Sequence, residues 1–315
     1  LSDDPTRDLA SPAVAATRGT IETREITIDG QLLQAAIRHG DGSGPPLLLF
    51  NGIGANWELA KPFLEALTST TAIIFDVPGV GGSPRPAWPY RPSTLARLAA
   101  ELVAELGYAE VDVAGVSWGG GIAQQFAHQF PKRCRRLVLA ATAPGFTMVP
   151  ASPSVLWKMA TPRRYTDKGY MKQIAADIYG GAFRNDPSLI GRHAGAMHGA
   201  RSMGYFYQLL AMAGWTSLPW LWSLPQPTLI LMGRDDPLVP PINGQIMASL
   251  IPKAELRMID DGHLFMVTRP KETAALIEAF LAGESREAAP ASLLSRTSGR
   301  LRDLIPTSGG GREKS

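Results

Sequence analysis

The chain has little of what would commit it to several broad classes. Its 315 residues include one cysteine, Cys134, so neither an internal disulfide nor a cysteine-based zinc site can form. Neither sign of charge dominates: 31 Lys and Arg against 28 Asp and Glu leave +3, too little to argue for a nucleic-acid partner. There is no repeat period and no sustained heptad run, which excludes solenoids and coiled coils. Long apolar runs are missing too. The uncharged stretch from Ser202 to Gly233 comes nearest, but Gly214, Pro219, Pro225 and Pro227 interrupt it. It therefore reads as a buried or ligand-facing segment, and no transmembrane segment is expected. The first residues, LSDDPTRDLASPAVAATRGT, lack the basic-then-apolar order of a secretory leader; with the lone cysteine, this predicts a cytoplasmic protein.

What is present is a globular composition, 45% apolar, over a length that suits one large α/β domain with an insertion. After a polar arm (1–20), two alternating runs, TIETREITI and QLLQAAIRH, flank Asp29-Gly30, a strong hairpin signal. LLLF (47–50), TAIIFD (71–76), VDVAGV (111–116) and RLVLAA (136–141) are continuous apolar runs, as expected of strands buried on both faces of a parallel sheet. Helical patterns over 57–68, 94–106 (with Ser93 as N-cap) and 118–130 separate them, giving a doubly wound α/β core over 21–144. Alternation resumes over 226–282 with PTLILMG, ELRMID and a last helix near 271–282. The segment between, 145–225, reads as a helical cap. It holds twelve of the 24 aromatics and six of the ten methionines, more than a small insertion can bury internally, so some should face a shared cleft. The tail, 283–315, reads as a disordered basic segment.

Chemistry concentrates at Gly115-Val116-Ser117-Trp118-Gly119, a G-x-S-x-G between a buried strand and a helix. A turn this tight strains the serine and tolerates only small residues on either side; it presents the hydroxyl at the strand's C-terminal end. Ser117 is the expected nucleophile, and the Trp118 amide, at the positive end of the next helix, one oxyanion donor. A serine hydroxyl needs a base, and the base an orienting carboxylate. His39 ends the hairpin, His128 lies along the helix after the elbow, and His193 and His198 belong to the insertion. His263, in Asp260-Asp261-Gly262-His263, follows the last strand at the edge where doubly wound sheets bind ligands, and is the expected base. For the carboxylate, Asp235 and Asp236 compete after the preceding strand. Asp236 is favoured, because Pro237 pushes it out of helical conformation; Asp260 and Asp261 are rivals that read as shaping the histidine loop. The second oxyanion donor is assigned to the Ile53 amide, in Asn51-Gly52-Ile53-Gly54. Asn51 and Gly52 there, and Phe146 and Trp215 in the insertion, are the candidate substrate contacts. Asp76-Val77-Pro78-Gly79-Val80-Gly81-Gly82-Ser83 fails as a nucleotide fingerprint, because Pro84 stands where the third glycine belongs.

With these residues placed, the sequence resembles the α/β-hydrolase superfamily, and more narrowly the intracellular medium-chain-length polyhydroxyalkanoate depolymerases. The resemblance rests on FNGIGAN, FDVPGVGGS, GVSWGG with AQQFAH, LVLAATAPG with MVP, TPRRY, IYGGAFR, MGY, GWTS, DDPLVP and IDDGHLF, covering nearly all of 45–282. Many α/β-hydrolases carry His-Gly where this chain has Asn51-Gly52; the depolymerases are similar to it in having Asn. The resemblance implies a mostly parallel eight-stranded sheet with an N-terminal antiparallel hairpin, a cap over the site, a Ser117–Asp236–His263 triad and no cofactor or metal. It also implies a substrate of 3-hydroxyacyl esters with medium-length side chains, found as intracellular polyester granules with which the enzyme would associate. The residues agree independently on one point: an aromatic- and Met-rich cap suits an oily acyl chain better than a small polar ester. A general carboxylesterase or lipase for medium-chain acyl esters is the nearest rival, and a granule-associated scaffold on a hydrolase fold the non-enzymatic one. A polyester synthase would need cysteine at the elbow, and a haloalkane dehalogenase a carboxylate.

Overall fold

The structure, a computed structural model, describes residues 17–42, 44–161, 167–186, 188–189, 191 and 202–284. Residues 1–16 of the arm, most of TPRRY, His193, His198 and the tail beyond Glu284 lie outside the described residues. Within them, eight strands form one sheet: β1 (Ile21–Ile28), β2 (Gln31–Arg38), β3 (Leu47–Phe50), β4 (Ala72–Phe75), β5 (Val111–Val116), β6 (Cys134–Ala140), β7 (Thr228–Gly233) and β8 (Ala254–Ile259). Their spatial order is β1-β2-β4-β3-β5-β6-β7-β8. The Asp29-Gly30 hairpin pairs β1 with β2 antiparallel, β2 pairs antiparallel with β4, and every pair from β4 to β8 is parallel. Arg18 to Thr20 already belong to this structure: the Gly19 amide donates to the His39 carbonyl, and the His39 amide to the Thr20 carbonyl.

The continuous apolar runs are explained by what each strand face meets. Leu48 and Phe50 point into one core with Ile73, Phe75, Val113, Leu137, Leu139 and Ile230. Leu47 and Leu49 point into the other with Ile74, Ala114, Val138 and Leu231. Helices α2 (Pro92–Glu105) and α3 (Trp118–Gln129) cover the first face, and α1 (Lys61–Ala66), after a 3-10 turn at Trp57–Ala60, covers the second. Each fully buried Leu, Ile or Phe contributes about 1.5–3 kcal/mol, so neither face can be exposed cheaply. One expected boundary is corrected. The α2 helix starts at Pro92 with Arg91 as N-cap, not after Ser93, because proline is suited to the first helical position; the Arg91 amide then donates to the Thr94 hydroxyl.

Between β6 and β7 the chain leaves the sheet for α4 (Pro153–Ala160), α5 (Lys168–Tyr179), α6 (Ala182–Asn185), α7 (Ser202–Met212) and a 3-10 turn at Leu218–Ser223. This excursion has its own small core: Ala151, Val155, Met171, Ile174, Ala175, Ile178, Tyr179 and Phe183. Few of its aromatics fit there. Tyr207 packs edge-on against Tyr90 in the main core, whereas Phe146, Trp157, Phe206 and Trp222 are at least half exposed. After β7 come α8 (Ile242–Leu250), α9 (Phe265–Thr268) and α10 (Pro270–Ala282), the last lying along α1.

The α10 helix is tied to the sheet by Glu278, whose carboxylate accepts from the amides of Thr68, Ser69 and Thr70 and from the Thr68 hydroxyl. Burial alone would raise this carboxyl; those donors outweigh it and bring it from its ordinary 4.5 down to about 2. A depressed carboxyl stabilises the fold fully above its ordinary value and loses that contribution as pH falls toward 2. Glu278→Gln is expected to cost about 1–2 kcal/mol at neutral pH, allowing for solvent screening. Urea denaturation should show the gap between mutant and wild type closing from pH 5 to pH 2. A gap constant over that range would contradict the assignment.

Candidate active site

Residues at the C-terminal ends of β3, β5, β7 and β8 converge on one cleft, the position where open α/β sheets bind ligands. Strand β5 ends at Val116 and α3 begins at Trp118, so Ser117 makes the turn alone, at φ +52° and ψ −119°. That region is unfavourable for a residue with a Cβ and persists only where the surroundings over-determine it. Here the Ser117 amide donates to the Ala140 carbonyl, and its carbonyl accepts from the Gly120 amide and the Thr142 hydroxyl. The flanking glycines have no alternative. A Cβ on Gly115 would stand 2.4 Å from the Gly119 carbonyl oxygen, and one on Gly119 would stand 2.3 Å from that of Phe50.

The Ser117 hydroxyl lies 3.0 Å from His263 Nε2, and His263 Nδ1 lies 2.8 Å from Asp236 Oδ2. A carboxylate can only accept, so Nδ1 carries the imidazole proton and Nε2 is left to accept from the serine. Asp236 and His263 are both buried. The second Asp236 oxygen accepts from the Leu238 and Val239 amides, which hold the carboxylate in place and satisfy its charge. Of the sequence-level rivals, Asp235 faces outward, accepting from the Gly181 amide and pairing with Arg184. Asp261 accepts from the Ala182 and Gly262 amides and from the Thr268 hydroxyl, so it shapes the histidine loop. His39 pairs with Glu22, and His128 stacks on Trp220; neither faces the cleft.

Beside the elbow runs the loop after β3. Among the described residues neither the Ile53 nor the Trp118 amide donates to a protein acceptor, which leaves both free for an oxygen in the cleft. Asn51 and Gly52 line the cleft, but the Asn51 side chain is engaged within its own loop: it donates to the Asn56 carbonyl and accepts from the Gly52 amide. These bonds shape the loop and occupy the Gly52 amide. Asp76 holds the far end of the loop, accepting from the Trp57 and Gly82 amides. Burial pushes its carboxyl up to about 6 against the pull of those two amides. The glycines after Asp76 serve close approach: Gly79 lies against Gly204 of α7, where a Cβ on Gly204 would stand 1.9 Å from the Gly79 oxygen.

Two cavities meet at Ser117. One of about 380 Å³ lies under the helical excursion and is lined by Trp118, Gly121, Phe146, Met212, Trp215 and Leu209 among others. The other, about 110 Å³, lies on the His263 side and is lined by Leu49, Phe63, Tyr179 and Met266. Both are mainly apolar, the larger more so, and Ile53, Met159 and Leu238 border each of them. Phe146 and Trp215 thus sit in the larger cavity; Trp215 is fixed by its indole N–H donating to Gln125.

Sequence reasoning missed the part the excursion plays here. The His263 amide donates to the Tyr179 carbonyl at 2.7 Å, and the Tyr179 ring lies nearly parallel to the imidazole. Gly180 and Gly181 follow with φ of +65° and +50°, packed backbone to backbone against Asp235 and Asp261-Gly262. Adjacent glycines inside an otherwise helical stretch were the available signal. Gln208, buried on α7, was missed as well. Its carbonyl accepts from the Trp118 indole and its side chain from the Gly54 amide. Among the described residues no group of three or more His, Cys, Asp or Glu is placed to hold a metal ion, and no helix is long and apolar enough to cross a membrane.

The sheet order, the strained serine elbow and the serine–histidine–aspartate chain define an α/β hydrolase, and the chain belongs to that family: the model of the alpha/beta hydrolase fold matches residues 45–270. Within it, the chain is similar to the poly(3-hydroxyalkanoate) depolymerase of Ectopseudomonas oleovorans, at 52% identity over 266 residues, 84% of this chain and 94% of that one. It is also similar to the 2-hydroxymuconate semialdehyde hydrolase of Pseudomonas sp. (strain CF600), at 28% identity over 81% of this chain and 94% of the relative. Among solved structures, the enol-lactonase from Burkholderia xenovorans LB400 aligns with a TM-score of 0.71 at 20% identity, over 82% of this chain and 100% of that one. That last likeness is one of fold alone.

The two neighbouring aspartates provide a direct test of the geometry. Asp236→Asn leaves the shape but presents the wrong partner to Nδ1, and kcat on a p-nitrophenyl ester is expected to fall about 10³–10⁴-fold. Asp235→Asn should stay within about threefold of wild type. Equal losses would remove the distinction.

Proposed function

We propose that this chain is a serine ester hydrolase that cleaves medium-chain-length poly(3-hydroxyalkanoate) to 3-hydroxyalkanoic acids or oligomers. The observation that carries this reading is the Ser117–His263–Asp236 chain, with contacts of 3.0 and 2.8 Å, at the junction of two apolar cavities. The 52% identity to a poly(3-hydroxyalkanoate) depolymerase supplies the substrate class.

In this mechanism Ser117 attacks the ester carbonyl as its proton passes to His263 Nε2, and Asp236 holds the imidazole and stabilises the imidazolium. The carbonyl oxygen becomes an oxyanion facing the amides of Trp118 and Ile53; each such donor typically lowers the barrier by about 3–4 kcal/mol. The tetrahedral adduct collapses, the carbon–oxygen bond to the leaving 3-hydroxy group breaks, and His263 returns its proton to that oxygen. Water then repeats the sequence on the acyl-enzyme, releasing the acid and restoring Ser117. The larger cavity takes the alkyl branch on the acyl side, and the smaller, bordered by His263, takes the leaving alcohol.

The protein would meet its insoluble substrate at a granule surface. Phe146, Leu156 and Leu209 line the larger cavity and are also exposed, which makes an apolar rim continuous with the site. Narrowing this rim with Leu156→Trp and Leu209→Trp together is expected to lower kcat/KM for long acyl p-nitrophenyl esters about tenfold relative to the acetate ester. An unchanged chain-length profile would place the acyl chain elsewhere.

The reaction itself is tested with purified wild type and Ser117→Ala on p-nitrophenyl esters and on amorphous medium-chain polyester granules. The expected result is 3-hydroxy acid release from granules that disappears in Ser117→Ala. Activity on small esters alone would keep the nucleophile and reject the polymer, and inactivity on both would leave a scaffold on a hydrolase fold.

A further inference from the structure

We infer that Gln208 is a positioning residue that sets the oxyanion hole from the helical excursion. The inference rests on the assignment of the Ile53 and Trp118 amides as the oxyanion donors. Gln208 lies on α7 and is completely buried. From this one residue, two hydrogen bonds reach the two segments that carry those amides. Its side-chain oxygen accepts from the Gly54 amide at 2.7 Å, and its main-chain oxygen accepts from the Trp118 indole N–H at 2.9 Å.

The first bond matters because of where Gly54 sits. The Gly54 nitrogen belongs to the peptide that leaves Ile53, and Gly54 itself has φ +70°, a region with no Cβ to restrain it. With its N–H anchored, the Ile53–Gly54 peptide plane is held, and the Ile53 amide, which lies in the preceding peptide plane, is restrained through it. The same peptide lies at the centre of a turn closed by the Ala55 amide donating to the Gly52 carbonyl at 3.2 Å, and the Gln208 bond is the anchor that ties this turn to α7. The second bond acts on the opposite donor: it holds the indole of the residue whose own amide is the other half of the hole.

A further observation separates Gln208 from ordinary core packing. Its side-chain nitrogen is buried and has no hydrogen-bond partner among the described residues. A methionine would fill the same space without an unsatisfied donor, so what the glutamine adds is the acceptor facing Gly54. The same helix lines the larger cavity through Tyr205, Leu209 and Met212, one residue after Gln208 and three or four to either side along the chain. The helix that borders the acyl chain is therefore the helix that holds the hole.

The test is Gln208→Met, which is close in volume and lacks the acceptor, with Trp118→Phe, which removes the indole donor together with part of the ring bordering the larger cavity. Gln208→Met is expected to lower kcat on a medium-chain p-nitrophenyl ester about 10–100-fold with KM within about threefold. It should weaken a medium-chain alkyl trifluoromethyl ketone, which forms an oxyanion on Ser117, by a similar factor. Trp118→Phe should give a smaller loss, about 3–10-fold, again in kcat. The positioning role is overturned if ketone affinity is unchanged while kcat falls, if the loss lies in KM, or if it is matched by unfolding at the assay temperature. Wild-type kcat in Gln208→Met also overturns it. Should Ser117→Ala retain wild-type hydrolysis or ketone binding, the site assignment itself fails, and the role of Gln208 with it.

Discussion

The site depends first on a backbone contact with no room for a side chain. Gly119, at the start of α3, presses against the Phe50 and Asn51 carbonyls at the end of β3, and Gly115 presses against Gly119. These approaches require the helix to start immediately after β5, so one residue, Ser117, makes the whole reversal. Its left-handed conformation costs of order 1–3 kcal/mol, offset by the bonds to Ala140, Gly120 and Thr142. The same contact puts the Asn51–Gly54 loop beside the helix N-terminus. Parallel register, with Phe50 opposite Gly115, then aligns the two chain ends across the sheet. Ser117 and the Ile53 and Trp118 amides are thus placed by one packing event.

A second set of contacts places His263, and it comes from outside the sheet. Loops after β7 and β8 carry Asp236 and His263, but their backbones are clasped by Tyr179-Gly180-Gly181. A Cβ on Gly262 would stand 2.0 Å from the Tyr179 oxygen, and one on Gly181 would stand 2.0 Å from the Asp261 carboxylate. The Tyr179 carbonyl takes the His263 amide, a buried donor that would otherwise be unsatisfied. With Gln208 contacting the opposite side, the excursion between β6 and β7 reaches every part of the proposed machinery. It is therefore a structural component of the site as well as its roof.

How much of this the sequence carries follows from which contacts are local. Strands are legible because burial on both faces leaves unbroken apolar runs such as LLLF and VDVAGV. Ser117, Asp236 and His263 are legible because each follows such a run in a recognisable turn, and the structure brings the three together. The Asp29-Gly30 hairpin is legible from the alternating runs that flank it, whereas the eight-stranded sheet is what the family resemblance implies. What escapes is the partner across the chain. Nothing near Asn51 says that its amide is engaged within its own loop, and Ser93 resembles a better cap than Arg91 until Pro92 is given the first helical position. Gln208 is one polar residue in the uncharged α7, and its two partners lie about 90 and 154 positions away. Periodicity carries no information about such pairs.

The polarity of the cleft bears on what kind of ester it suits. Among the described residues, hydrogen-bonding groups converge where Ser117, His263 and the Ile53 and Trp118 amides meet; the walls on either side are mainly aliphatic and aromatic. Such walls keep water from competing for the developing oxyanion and strengthen each charge interaction at the junction. They offer little to a polar group far from the carbonyl. A simple methyl ester would fill one wall and leave the other in contact with water, forgoing the apolar burial of about 25 cal/mol per Å² that the second cavity offers. A polyester bearing an alkyl branch on every repeat unit places an apolar group on both sides of each carbonyl. The ester under attack is then presented where the polar atoms are, with its alkyl branches against the apolar walls. The pairing of two unequal apolar cavities with a polar junction thus favours an ester with apolar groups on both sides of its carbonyl over a small polar one.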